Sequence, residues 1–259
     1  MNLRALLAAA LLGAALAPPA RADATLDYVD AGNDAPQGRL FVGGGKLRID
    51  IAYAPGHHYV VVDPSARTLT QINPQARALA TATAEQAQQL IAGLDGAADP
   101  AAQPLLQLAL GGLDAEQRAQ AEALLRQSRR EAAIPYAKTG ARERVAGIAC
   151  TLYTQKLDSG EQRSLCLADY PDLGLDAADA RTLQAAMALL RQTGGPWLPL
   201  ARLPGLPLRY AGSFGDPAYA GAGRLRAISR QPLSAAVFAD PPAYRIISLF
   251  EMLALLGAP

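Results

Sequence analysis

Cys150 and Cys166 are the residues of this 259-residue sequence whose type and spacing point most directly to a chemistry. They are its two cysteines, and a turn signal, Asp158-Ser159-Gly160, lies midway between them. Two positions equidistant from a hairpin turn face each other across an antiparallel ladder, at about the separation a disulfide requires. With no CxxC pair and no further cysteine to complete a metal set, a structural disulfide is the expectation.

The other candidates for chemistry fall away on spacing. His57 and His58 are the sole histidines, so a general base or zinc ligand of the usual kind has to be one of them. They are adjacent, no HExxH spacing is present, and neighbours on a strand point to opposite faces, so the pair reads as a loop leading into a strand. Gly212-Ser-Phe-Gly215 lacks the GxSxG spacing of a hydrolase elbow. Gly45-Lys46 is followed by leucine, and Leu40 stands where a phosphate-binding loop needs its first glycine. No carboxylate pair sits at a defined spacing. The expectation is a protein without catalytic residues, metal or cofactor.

The elements that must position any site start with Gly38 to Thr83. Gly43, Gly44 and Gly45 supply the positive φ of a tight hairpin, after which Leu47, Ile49 and Ile51 share one face and Arg48 and Asp50 the other. His58 to Asp63, Thr68 to Ile72 and Arg77 to Thr81 follow, separated by turns at Asp63-Pro64-Ser65 and Asn73-Pro74, where the aspartate side chain can bond the backbone ahead. This is an antiparallel meander with one apolar face. Thr25 to Asp30 reads as a strand before it.

At Thr83 the period changes from two to about 3.6. Thr83-Ala-Glu-Gln86 has the form of a capping box, and Leu90, Ile91 and Leu94 make an apolar stripe ending at Gly96. Asp114-Ala-Glu-Gln117 opens a longer helix to about Ala133, whose Arg118, Glu122, Arg126, Arg129, Arg130 and Glu131 suit a solvated face. Strands return at Arg142 to Val145, Ile148 to Lys156 and Gln162 to Ala168. Asp176-Ala-Ala-Asp179 starts a helix with Leu183, Ala186, Met187 and Leu190 at i, i+3, i+4 and i+7. A greasy, proline-rich loop with the one tryptophan, Trp197, leads to closing strands at Leu208 to Ala211, Arg224 to Arg230 and Tyr244 to Ile247, and Ser248 to Leu256 reads as a terminal helix.

Composition bounds the setting. Arg4, the apolar run Ala5 to Ala17 and the small-x-small site Ala20-Arg21-Ala22 read as a cleaved export signal, since thirteen apolar residues fall short of the roughly 20 that cross a bilayer. No cysteine follows that run, so lipid anchoring of the usual lipoprotein kind is not expected. Beyond Ala22 the chain carries 22 basic and 23 acidic residues and no basic run, which excludes the electrostatic footprint of a nucleic-acid binder. It contains no later apolar stretch of membrane-spanning length. The expectation is a soluble periplasmic or secreted chain beginning near Asp23, with residues 23–259 as a single domain and a helical insertion at about 84–133.

The order of meander, helices, cysteine hairpin, helix and closing strands resembles an uncharacterised family of exported bacterial proteins similar to the LolA, LolB and RseB half-barrels. Gly44-Gly-Lys-Leu-Arg-Ile49, Asp63 to Thr70, Val145-Ala-Gly-Ile-Ala-Cys150, Cys166-Leu-Ala-Asp169 and Leu233-Ser-Ala-Ala-Val-Phe-Ala-Asp-Pro-Pro-Ala-Tyr244 carry the resemblance. It implies an α+β fold, a curved, incomplete antiparallel β-barrel covered by amphipathic helices, that holds acyl chains or senses envelope lipids. The lining residues would be Leu47, Ile49, Ile51, Leu90, Ile91, Leu183 and Met187, and the ligand a lipid, an acyl chain or a lipidated partner. The alternative is a protein-interaction or regulatory module of the cell envelope docking through the Trp197 loop or a sheet edge.

Overall fold

The computed structural model describes residues 23–51, 58–95, 134–193, 203–212, 221–249, 251–252 and 255, without the side chains of 51, 90–95 and 193. The expected helix over 114–133, Trp197, His57 and residues 213–215 lie outside the described residues, as do the side chains of Ile51, Leu90 and Ile91. The first half supplies β1 (Ala24–Asp30), β2 (Pro36–Gly43), β3 (Lys46–Ile51), β4 (Tyr59–Asp63), β5 (Thr68–Asn73) and β6 (Ala78–Thr83), followed directly by helix α1 (Ala84–Asp95). The second half supplies β7 (Ala137–Val145), β8 (Ile148–Lys156), β9 (Gln162–Ala168), helix α2 (Ala177–Thr193), β10 (Leu206–Gly212), β11 (Gly221–Ser229) and β12 (Arg245–Ile246).

These strands form one open sheet of twelve in the order β12-β6-β5-β4-β3-β2-β1-β11-β10-β9-β8-β7. Every neighbouring pair is antiparallel except β12 with β6. The α+β class and the antiparallel meander are as expected. The helical cover is sparser than expected, with two α-helices of any length among the described residues. None of the described helices is long and apolar enough to cross a membrane.

Local chemistry accounts for the turns. Gly44 and Gly45 take φ of 57° and 77°, so two residues close the β2–β3 hairpin with the primed turn that matches strand twist. The Asp63 carboxylate accepts the amides of Ser65 (3.0 Å) and Ala66 (2.9 Å), and Asn73 does the same for Ala76 (3.0 Å). At α1 the box closes in both directions: the Gln86 amide donates to Thr83 Oγ1 (3.2 Å) and the Thr83 amide to Gln86 Oε1 (2.9 Å).

The sheet is not flat. β7 and β11 stand four places apart, about 19 Å in a planar sheet, yet their Cα atoms come into contact range. Tyr210 on β10 likewise hydrogen-bonds Gln37 on β2, three places away. Its ring lies over Gly223 of β11, where any side chain would collide with it. The main apolar cluster joins β1 to β4 with β7 to β11 through α2, whose Leu183 and Leu190 are fully buried.

The outer face is covered differently. After β11 the chain crosses it, Tyr244 packing on the cluster of Tyr59, Val61, Ile72 and Leu79. Arg48 pins this strap by donating to the Val237 carbonyl (3.0 Å) while paired with Asp50 (2.6 Å) and stacked on the Tyr59 ring (3.6 Å). β12 then lines the β6 edge, and beyond it Met252 packs on Ala78 and Ala80, which flank Leu79 and so lie on the inner side of the sheet.

This division of cover gives a stability prediction. Leu183→Ala, deleting a fully buried side chain, lowers unfolding free energy by about 2–5 kcal/mol. Ile246→Ser, at a position 83% exposed, changes it by no more than about 0.5 kcal/mol in the same urea titration.

Candidate functional site

The expected lining residues that are described meet beneath α2. Its stripe of Leu183, Ala186, Met187 and Leu190 follows from the 3.6 period and falls on the inner face of the sheet against β2 and β3. Leu47 and Ile49 of β3 rise from that face into the same cluster, and all four expected residues (Leu47, Ile49, Leu183, Met187) are buried. They are packed side chain to side chain, with Met187 supplying the flexible, polarizable member of the set.

At its N-terminal end α2 buries a carboxyl group. Asp176 accepts the Asp179 amide (2.7 Å) and so caps the helix. Asp179 itself is 5% exposed. Burial first, then the fields of Asp176 and Asp23, push that carboxyl up to about 7. Asp23 begins the described chain, is also 5% exposed, and accepts the Leu233 amide at 2.7 Å. Its carboxylate fills the space a side chain at Gly43 would need. Sequence reading took Asp176 and Asp179 as a helix start and missed the burial of Asp179. The signal was an aspartate in the first turn of a helix at a position that faces inward.

A second polar group, the half-buried Tyr28, ties two strands together. The Tyr28 hydroxyl donates to the Pro207 carbonyl (2.9 Å), and burial raises its pKa, with smaller contributions from Tyr210 and Tyr170. It therefore serves as a neutral donor that ties β1 to β10.

The cysteines are bonded, with Cα atoms 5.3 Å apart. They are not direct cross-strand partners, as equal spacing from Asp158 suggested. Leu152 faces Cys166, and the β8–β9 ladder closes at Lys156 and Gln162, which centres the turn on Ser159. The turn is held by the Leu157 amide on the Glu161 carbonyl (2.9 Å), and the bridge runs diagonally. Close by, Arg209 on β10 makes a two-toothed ion pair with Glu143 on β7 (2.8 Å). An open cleft of about 160 Å³ lies beside the bridge, lined by Lys138, Arg142, Tyr153, Asp169 and Asp172 among others. It mixes both charges and holds no histidine.

Among the described residues no cluster of three or more His, Cys, Asp or Glu side chains could hold a metal ion. His58 precedes β4 with Nδ1 buried and unpartnered among the described residues, and burial lowers its pKa, keeping the ring neutral at pH 7.

No protein-family model matches the sequence, and no curated protein is recognisably similar to it. Among solved structures, one titled "Structure of PNGF-II in C2 space group" aligns at TM-score 0.42 and 6% identity over 92% of this chain and 33% of that one. The chain thus spans a third of that protein's length. An uncharacterised conserved protein from Thermus thermophilus aligns at TM-score 0.37 and 8% identity over 88% of this chain and 90% of its own. At these scores neither likeness bears on fold or function.

The bridge closes a loop of 16 residues. Replacing Cys150 and Cys166 by alanine lowers unfolding free energy by about 3 kcal/mol, measured by denaturant titration against the oxidised parent.

Proposed function

We propose that this is a non-enzymatic protein of the bacterial cell envelope, built on the half-barrel plan of LolA, LolB and RseB. It takes an acyl chain or a lipidated partner between the inner face of its sheet and α2. The observation that carries the reading is the make-up of the α2 contact: aliphatic side chains from both layers meet there. Strand ladders hold the sheet together, so helix and sheet can part without breaking a β-sheet hydrogen bond. An acyl chain entering the seam replaces one aliphatic surface by another, so the apolar area removed from water is conserved. Met187 suits such a seam because its unbranched side chain repacks readily. The residues doing the binding are Leu47, Ile49, Leu183 and Met187, with Ile51, Leu90 and Ile91 as the further candidates from sequence. Two cysteines joined in a bridge fit an oxidising compartment such as the periplasm.

Protein exported to a bacterial periplasm and sprayed intact into a mass spectrometer carries lipid, and the stripped protein takes up a fluorescent fatty acid. Met187→Trp, which overfills the seam, weakens uptake by about tenfold, the equivalent of the 1–3 kcal/mol that overpacking costs. Lipid-free protein that also ignores the fatty acid refutes the proposal.

A further inference from the structure

The cleft beside the disulfide keeps opposite charges apart. The strand order β9-β8-β7 puts Lys138 and Arg142 of β7 on one side and Asp169 and Asp172, just past the end of β9, on the other. Tyr153 and Leu167 lie between them and belong to an apolar cluster with Leu165 and Leu203. Leu167 alternates along β9 with Cys166 and Ala168 of the main cluster, so the cleft opens on the sheet face opposite the α2 seam. Among the described residues none of the four charged side chains is in an ion pair, although two of each sign line one small cavity.

Each wall is set by a local device. In β7, Thr139, Gly140 and Ala141 all stand against Leu152, so Lys138 pairs with Tyr153 and Arg142 with Thr151. Four residues of unbroken strand would part the two cations by about 13 Å, whereas their partners on β8 are two residues, about 7 Å, apart. Thr139 holds this bulge, its hydroxyl donating to the Leu152 carbonyl (3.0 Å) and accepting the Ala141 amide (3.2 Å), while Gly140 takes φ 80°. On the other wall Asp169 leads in extended conformation into a 3₁₀ turn, Tyr170–Leu173, and its carboxylate caps no amide of that turn. Residues three apart eclipse in such a turn, so Asp172 stands over Asp169, while buried Tyr170 and Leu173 anchor the turn from its other side. We propose that the cleft binds a small zwitterion of dipeptide size, its carboxylate on Lys138 and Arg142 and its ammonium on Asp169 and Asp172, across the floor of Tyr153 and Leu167. A ligand of one sign meets like charge on one wall, and only a ligand carrying both signs satisfies the two together. At about 160 Å³ the cleft is smaller than the 300–1,000 Å³ of larger ligand sites, which fits one or two residues. A dipeptide carries its two charges on separate Cα atoms about 3.8 Å apart, whereas a single amino acid carries both on one.

The site is independent of the α2 seam and is tested without lipid. Isotope-labelled protein is titrated at pH 7 with alanyl-alanine, with its N-acetyl form and with its C-terminal amide, following backbone amide resonances by NMR. Alanyl-alanine shifts the Thr151 and Tyr153 resonances saturably, with Kd on the order of 1 mM for so small a ligand. Blocking either end weakens binding by about fivefold, the upper range for a solvent-exposed ion pair. Lys138→Gln with Arg142→Gln abolishes the preference for the free carboxylate and keeps the preference for the free ammonium. Asp169→Asn with Asp172→Asn does the reverse. All four side chains are exposed, so both double variants keep the fold. No saturable shift up to about 20 mM, some twentyfold above the expected Kd, overturns the proposal. So does equal binding of the blocked and free dipeptides, a penalty for blocking one end alone, or a double variant that leaves both preferences intact.

Discussion

One apolar surface governs this molecule: the inner face of a twelve-stranded open sheet, which water would otherwise wet. An open sheet cannot bury that face on itself as a closed barrel does, so something must be laid upon it. Among the described residues α2 is the main cover, and its register of Leu183, Ala186, Met187 and Leu190 allows one helix to serve strands from both halves of the chain. The coiling of the sheet follows from the same need. By bringing β7 round toward β11, the strands reduce the width one helix has to span. Gly223 lets the Tyr210 ring lie flat across β11 and tie the curl to Gln37.

The two faces are held by different forces. Inside, contact is aliphatic and non-directional. Outside, the strap from β11 to β12 is fixed by directional groups, with Arg48 joining Asp50, the Tyr59 ring and the Val237 carbonyl at one point. A non-directional seam tolerates exchange of one aliphatic partner for another, and a directional one does not. That contrast is why a ligand is sought under α2 and not under the strap.

Much of the fold was legible because its signals are local. Gly44 and Gly45, Asp63, Asn73 and the Thr83–Gln86 box each act within four residues, and each does in the structure what its chemistry suggested. The stripe on α2 was legible for the same reason. Register was less so. Counting from Asp158 put Cys150 opposite Cys166, while the ladder is centred one residue later because the turn includes Leu157 and Glu161. The start of β7 was missed by five residues, since Ala137 to Ala141 shows no alternation and contains a glycine at φ 80°. The ion pair of Arg209 with Glu143 joins residues 66 positions apart, and no periodicity encodes it.

An open sheet also has two edges, and each exposes unpaired amides and carbonyls to other chains. The β7 edge is largely exposed and carries Lys138, Arg142, Glu143 and Arg144, with an irregular register between Lys138 and Arg142 that interrupts a flat template. The other edge is β12, only two residues long, preceded by Pro241 and Pro242 and beginning with Arg245. Charge, irregularity and shortness are the standard defences against strand addition. With both edges blunted, growth of the sheet into a second copy is disfavoured, although nothing closes it. The openness is therefore compatible with a discrete molecule, and the inner face can stay uncommitted to a barrel. The helix on that face is held largely by apolar burial, with Arg67 donating to Gln192 near its end (3.3 Å), and a seam held mainly in this way suits the proposed exchange of aliphatic partners.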